Sequence, residues 1–151
     1  MRLYRICRAP YRALDGEGAR LYGGRWNSPG APVVYASSSL ALAALEYLVH
    51  LDPDHAPSDL IALTLEVPDT ASADVVHQAA LPGDWAQVPE HPACVAAGDA
   101  WLGRGVTLLL RVPAAPVPEE QNVLINPRHV EAAQVRVIAE RRFAFDPRLL
   151  P

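Results

Sequence analysis

Gly23-Gly24-Arg25-Trp26-Asn27-Ser28-Pro29-Gly30 leads into Val33-Val34-Tyr35-Ala36-Ser37 and then into Leu40-Ala41-Leu42-Ala43-Ala44-Leu45-Glu46-Tyr47-Leu48-Val49-His50-Leu51. In order, these are a glycine-hinged loop with one arginine, a short strand bearing a tyrosine, and an apolar helix with one carboxylate in its middle. Ser38 or Ser39 is placed to cap that helix, and Asp52-Pro53-Asp54 stops it near Leu51. A lone Glu among leucines and alanines is costly to bury unless it has a partner or a task. An arginine beside two glycines is suited to gripping a phosphate or carboxylate, because the backbone can come close and the guanidinium offers a fork of donors. The stretch points to a small-molecule site with an anion clamp and an acid.

Outward from this stretch, strands outnumber helices and do not alternate with them. Arg2 to Cys7 reads as an opening strand and Asp59 to Val67 as another, with Ile61, Leu63, Leu65 and Val67 on one face. A short strand is expected at Val75-Val76, a buried one at Val106 to Val112, one at Asn122 to Ile125 and a long one at Val135 to Phe145. His91 to Leu102 reads as a helix stopped by Gly103. The segment from Ala9 to Gly24 is polar and irregular. The pattern is α+β, not a doubly wound parallel sheet.

The chain has 151 residues, apolar content of 50% and net charge −4. That fits one domain over residues 1–151 and gives no general affinity for nucleic acid. Its thirteen basic residues are all arginine, which excludes a phosphate-binding-loop lysine and a lysine Schiff base. Cys7 and Cys94 read as free thiols, and no histidine spacing matches a metal site. No apolar run reaches the roughly 20 residues a membrane span needs. A cytoplasmic protein without membrane contact is expected.

Gly16-Glu17-Gly18-Ala19-Arg20-Leu21 nearly matches a dinucleotide-binding glycine pattern, but no strand leads into it and its last position is leucine. It reads as a mobile loop. Arg25 has the strongest claim as anion ligand, and Trp26 beside it offers a stacking face. Tyr35 is ordinarily a core tyrosine; its position before the Glu46 helix gives it a functional reading. The ordinary explanation of Glu46 is a surface pair with His50, four residues on. Asn122 is placed to line a pocket.

These residues resemble a known family. Leu3-Tyr4-Arg5-Ile6, the run from Gly16 through Gly23-Gly24-Arg25-Trp26-Asn27, Val33-Val34-Tyr35-Ala36-Ser37, Leu45-Glu46, His50-Leu51, Val112-Pro113, and Asn122 to His129 are similar in order and spacing to RES-domain toxins. The resemblance implies a split, mostly antiparallel sheet with flanking helices, like that of ADP-ribosyltransferases. It implies a toxin that depletes NAD by cleaving the nicotinamide–ribose bond, as a glycohydrolase or by phosphorolysis. A protein ADP-ribosyltransferase toxin is the alternative. NAD is then substrate, and neither a cofactor nor a metal is expected. Arg25, Tyr35 and Glu46 are the expected catalytic residues. Arg25, Trp26, Asn27, Tyr35, Asn122 and Arg5 are the expected NAD contacts.

The family's serine should follow Val112-Pro113, where this chain has Ala114. That substitution supports a third reading, a weakly active or non-catalytic module that binds the antitoxin. The implied partner is an Xre-type helix-turn-helix antitoxin, with room for homo-oligomerisation within the toxin–antitoxin complex.

Overall fold

A computed structural model describes residues 1–150. Seven strands form one sheet: β1 (Arg2–Arg8), β2 (Val34–Ser37), β3 (Leu60–Glu66), β4 (Ala73–Val75), β5 (Leu109–Pro113), β6 (Gln121–Ile125) and β7 (Arg136–Arg142). Their spatial order is β4-β5-β6-β2-β1-β3-β7, with only β4 and β5 parallel. Three helices accompany them: α1 (Glu17–Tyr22), α2 (Leu40–Leu48) and α3 (Pro92–Arg104).

The sheet is split. β1 pairs with β3 along its whole length, from Arg2↔Glu66 to Arg8↔Leu60, and β2 pairs with β6 from Val34↔Ile125 to Ser37↔Asn122. Between β1 and β2, the register holds at Tyr4↔Ser37 alone. The two halves therefore meet at one point and diverge beyond it, which opens a gap along the seam.

Strand alternation builds the core on both faces. Leu3, Cys7, Ile61, Leu63, Leu65, Val34, Ala36, Leu109, Val123 and Ile125 form the larger cluster. On the opposite face, Leu110, Val112 and Leu124 pack with Cys94 and Trp101 of α3, while Ile6 and Ala62 pack with Ala43 of α2. α2 and α3 thus each cover one half of the sheet, and the seam lies between them.

Several boundaries differ from the sequence reading. The segment expected to be an irregular mobile loop contains α1, with Arg20 paired to Glu17 one turn before it. Ser39, not Ser38, caps α2 by accepting from the Leu42 amide, and the helix ends at Leu48. α3 runs past Gly103 and stops at Gly105, whose φ of +61° suits a residue without a Cβ. The strand expected at Val75-Val76 is β4, which begins two residues earlier and ends one earlier, and β7 is shorter than its expected span. Among the described residues, no helix is long and apolar enough to cross a membrane.

Candidate active site

The seam opens into a cleft of about 990 Å³ between α2 and the loop at residues 23–27. Arg5, Arg25, Trp26, Tyr35, Glu46 and Asn122 all line it, so six of the residues singled out in the sequence come together. Asn27 and Ala114 are not on its wall.

Glu46 occupies the α2 face one turn after the small, buried Ala43. It does not pair with His50 among the described residues. Instead, the Asn122 amide Nδ2 donates to its Oε1 at 2.5 Å. Asn122 Oδ1 in turn accepts from the Ser37 hydroxyl at 2.7 Å. Glu46 Oε2 has no protein partner among the described residues and is the oxygen left for a ligand. Asn122 lines the cleft, and one of its two Nδ2 hydrogens goes to Glu46.

Arg25 is held from behind. Its Nη1 donates to the carbonyls of Trp85 and Gln87 at 3.1 and 3.0 Å. Neither Arg25 nor Arg5 pairs with a carboxylate among the described residues. Two backbone carbonyls fix the guanidinium while leaving its charge unneutralised, and its Nε and Nη2 donors remain for an anion.

Trp26, Asn27 and Tyr35 are tied to one another and to the loop around them. The Trp26 indole is buried and packs against Trp85 at 6.3 Å between ring centroids, tilted by 38°, so its stacking face is already covered. Asn27 is buried, and its Nδ2 donates to the carbonyls of Ala19 and Ser28. The Tyr35 hydroxyl donates to Asn27 Oδ1 at 2.7 Å and accepts from the Trp26 amide at 3.1 Å. It is fully engaged with the loop, and burial pushes its phenol well above the ordinary value near 10. Tyr35 also lines the cleft. Gly24 makes room for this arrangement: a Cβ there would stand 2.7 Å from the Tyr35 hydroxyl oxygen. Gly24 also lines the cleft.

The Ala114 methyl is fully buried, and its amide donates to the Glu120 carbonyl. The cleft wall beside it is Ala115 and Pro116. Sequence reasoning missed Trp85 and Gln87, which anchor Arg25 through main-chain atoms that leave no side-chain signature. It also missed Ser37, read only as the end of a strand. No cluster of three or more His, Cys, Asp or Glu side chains suited to a metal occurs among the described residues.

A split, mostly antiparallel sheet with a cleft at its seam and α2 and α3 on one face defines an α+β protein. The comparisons narrow this further. The RES domain matches residues 2–146. The Prs ADP-ribosylating toxin of Sphingobium sp. (strain YBL2) is 42% identical over 139 residues, covering 91% of this chain and 86% of that protein. Toxin Res of Photorhabdus laumondii is 35% identical, covering 99% and 97%. In fold, the chain is similar to a chain of the M. tuberculosis MbcT–MbcA toxin–antitoxin complex, with TM-score 0.75 and 24% identity over 93% of this chain and 82% of that one. The chain belongs to the RES-domain family.

Proposed function

We propose that this chain is a cytoplasmic toxin that destroys NAD by breaking the bond between nicotinamide and ribose. The observation that carries the reading is Glu46: one carboxylate oxygen is tied to Asn122, and the other has no protein partner among the described residues, in a cleft that also holds Arg25, which meets no carboxylate among them.

The chemistry follows from the substrate. Nicotinamide in oxidised NAD is cationic and leaves as a neutral base, so no strong acid is required. As the C1′–N bond breaks, positive charge develops on the ribose, as in glycoside cleavage. A fixed carboxylate beside that carbon lowers the barrier by being oriented before the charge appears. Glu46 supplies it and accepts from a ribose hydroxyl. Arg25 grips the pyrophosphate with its remaining donors. Arg5, on the cleft wall with no carboxylate partner among the described residues and its Nη2 donating to the Tyr11 carbonyl, is a second cation for the phosphates. Tyr35 offers a ring edge to the nicotinamide or its ribose, while Trp26 and Asn27 hold the loop that presents Arg25. Asn122 orients Glu46. Water or phosphate then attacks C1′ and completes the reaction.

A second reading keeps the pocket and changes the acceptor. The Sphingobium relative is named an ADP-ribosylating toxin, which favours transfer of ADP-ribose to a protein. Incubation with labelled NAD and a cell lysate separates the two. Free ADP-ribose or its 1-phosphate supports NAD destruction, and a labelled protein band supports transfer. A non-catalytic module, the reading that Ala114 raised, requires that NAD persist in both assays.

The partner we propose is an Xre-type helix-turn-helix antitoxin that covers the cleft. A small helix-turn-helix reading frame next to this one, and suppression of growth arrest by its co-expression, would support that pairing.

A further inference from the structure

Ser37 sits where the two halves of the sheet meet. It is the β2 residue that pairs with Tyr4 of β1, and it stands directly opposite Asn122 in the antiparallel register with β6. Direct opposition brings Cβ atoms within about 4.5–5.5 Å, close enough for two short polar side chains to bond. Both residues are buried, with 4% and 8% of their surface exposed. The Ser37 hydroxyl donates to Asn122 Oδ1 at 2.7 Å, and Asn122 Nδ2 donates to Glu46 Oε1 at 2.5 Å.

We propose that Ser37 is a positioning residue for Glu46, acting through the Asn122 amide, so that the pair fixes which carboxylate oxygen faces the reacting ribose. The proposal rests on the NAD-cleaving reading of the cleft and adds to it a residue outside the expected set. The polarity of the chain explains why a hydroxyl is needed. An ionised carboxylate only accepts, so the amide must turn Nδ2 towards Glu46. Its Oδ1 then points back at β2, where it is buried and needs a donor. Ser37 is that donor. Alanine at 37 would leave Oδ1 unpaired and the amide free to rotate, and Glu46 would lose its preferred rotamer. Because Ser37 and Asn122 belong to the sheet and Glu46 to α2, the chain also ties the helix to the floor of the cleft at the seam.

The test uses the full chain and initial rates of nicotinamide release from NAD, with thermal unfolding as a check on folding. Ser37→Ala is expected to lower kcat about tenfold and to leave KM within about twofold. Ser37→Thr, which keeps the hydroxyl, is expected to recover most of that loss. In a Glu46→Gln background, Ser37→Ala is expected to add nothing. Asn122→Asp sets a second carboxyl against Glu46. Like charge makes ionisation harder, so the acid limb of the pH–kcat profile is expected to move upward by about one pH unit.

An unchanged kcat in Ser37→Ala overturns the proposal, as does an unmoved acid limb in Asn122→Asp. Should Ser37→Ala fail to fold, the Asn122→Asp profile decides alone. Glu46→Gln separates the two levels. If it is inactive while Ser37→Ala is unimpaired, the positioning role alone falls. If Glu46→Gln consumes NAD like the wild type, the catalytic reading of Glu46 falls and takes the positioning role with it.

Discussion

The Trp85 carbonyl accepts from Arg25 Nη1 at 3.1 Å, while the Trp85 indole packs on the Trp26 ring next in sequence to that arginine. One residue, distant in the chain, therefore fixes both the loop and the charge it carries. Such an arginine reaches a ligand already oriented, and little of its binding energy is spent on freezing the side chain.

Arg25→Ala should accordingly act on binding. A charge-assisted hydrogen bond is worth about 1.5–3 kcal/mol, so KM for NAD should rise roughly 10- to 100-fold with a smaller change in kcat. Arg25→Lys should recover only part of this, because a lysine cannot make the forked contact while also holding two carbonyls. Steady-state kinetics of nicotinamide release measure both. A large fall in kcat at constant KM would move Arg25 from binding to the chemical step.

Tyr35→Phe tests whether the phenol serves the fold. Its removal leaves the buried Asn27 Oδ1 without that donor, at a cost of about 1–3 kcal/mol near pH 8. The sign with pH follows from the raised phenol. The folded chain keeps a proton that the unfolded chain releases near pH 10, so Tyr35's contribution is complete below that pH and is lost as pH rises above it. The stability gap between wild type and Tyr35→Phe, measured by urea unfolding, should therefore narrow at about pH 10.5. An equal gap at both pH values would mean that the hydroxyl is not buried in the folded protein.

Gly98→Ala probes the packing of α3 beneath the Arg25 loop. A Cβ at Gly98 would fall 1.7 Å from the Trp26 carbonyl oxygen, so helix or loop must shift. Overpacking of this kind costs roughly 2–3 kcal/mol, a drop in Tm of about 5–10 °C for a chain of this size. The displaced loop carries Arg25, so KM for NAD should rise as well. A wild-type Tm would show that α3 does not abut the loop.

Much of the fold was legible because its signals are local. The alternation in β1 and β3, the apolar helix with its serine cap, and the strand at Asn122 to Ile125 each follow from periodicity over a few residues. The gathering of Arg25, Tyr35, Glu46, Asn122 and Arg5 around one cleft followed from the family resemblance, and the seam at Tyr4↔Ser37 explains it physically. What escaped depends on distant partners. Nothing near Trp26 announces that Trp85 will cover its face, and nothing near Tyr35 announces that Asn27 will take its hydroxyl. Two glycines at the α1 end of the loop masked a two-turn helix whose Glu17–Arg20 pair is its clearest sequence signal. Gly103 and Gly105 are equally plausible stops in the sequence, and only the positive φ at Gly105 distinguishes them.

The central claim is that Glu46 carries the charge that stabilises the breaking nicotinamide–ribose bond. Glu46→Gln keeps the shape and removes the charge, so the most direct measurement is the rate of nicotinamide release from NAD by that variant. The expected result is a fall in kcat of about 100-fold or more with KM within about threefold of wild type. Wild-type turnover by a folded Glu46→Gln protein would contradict it.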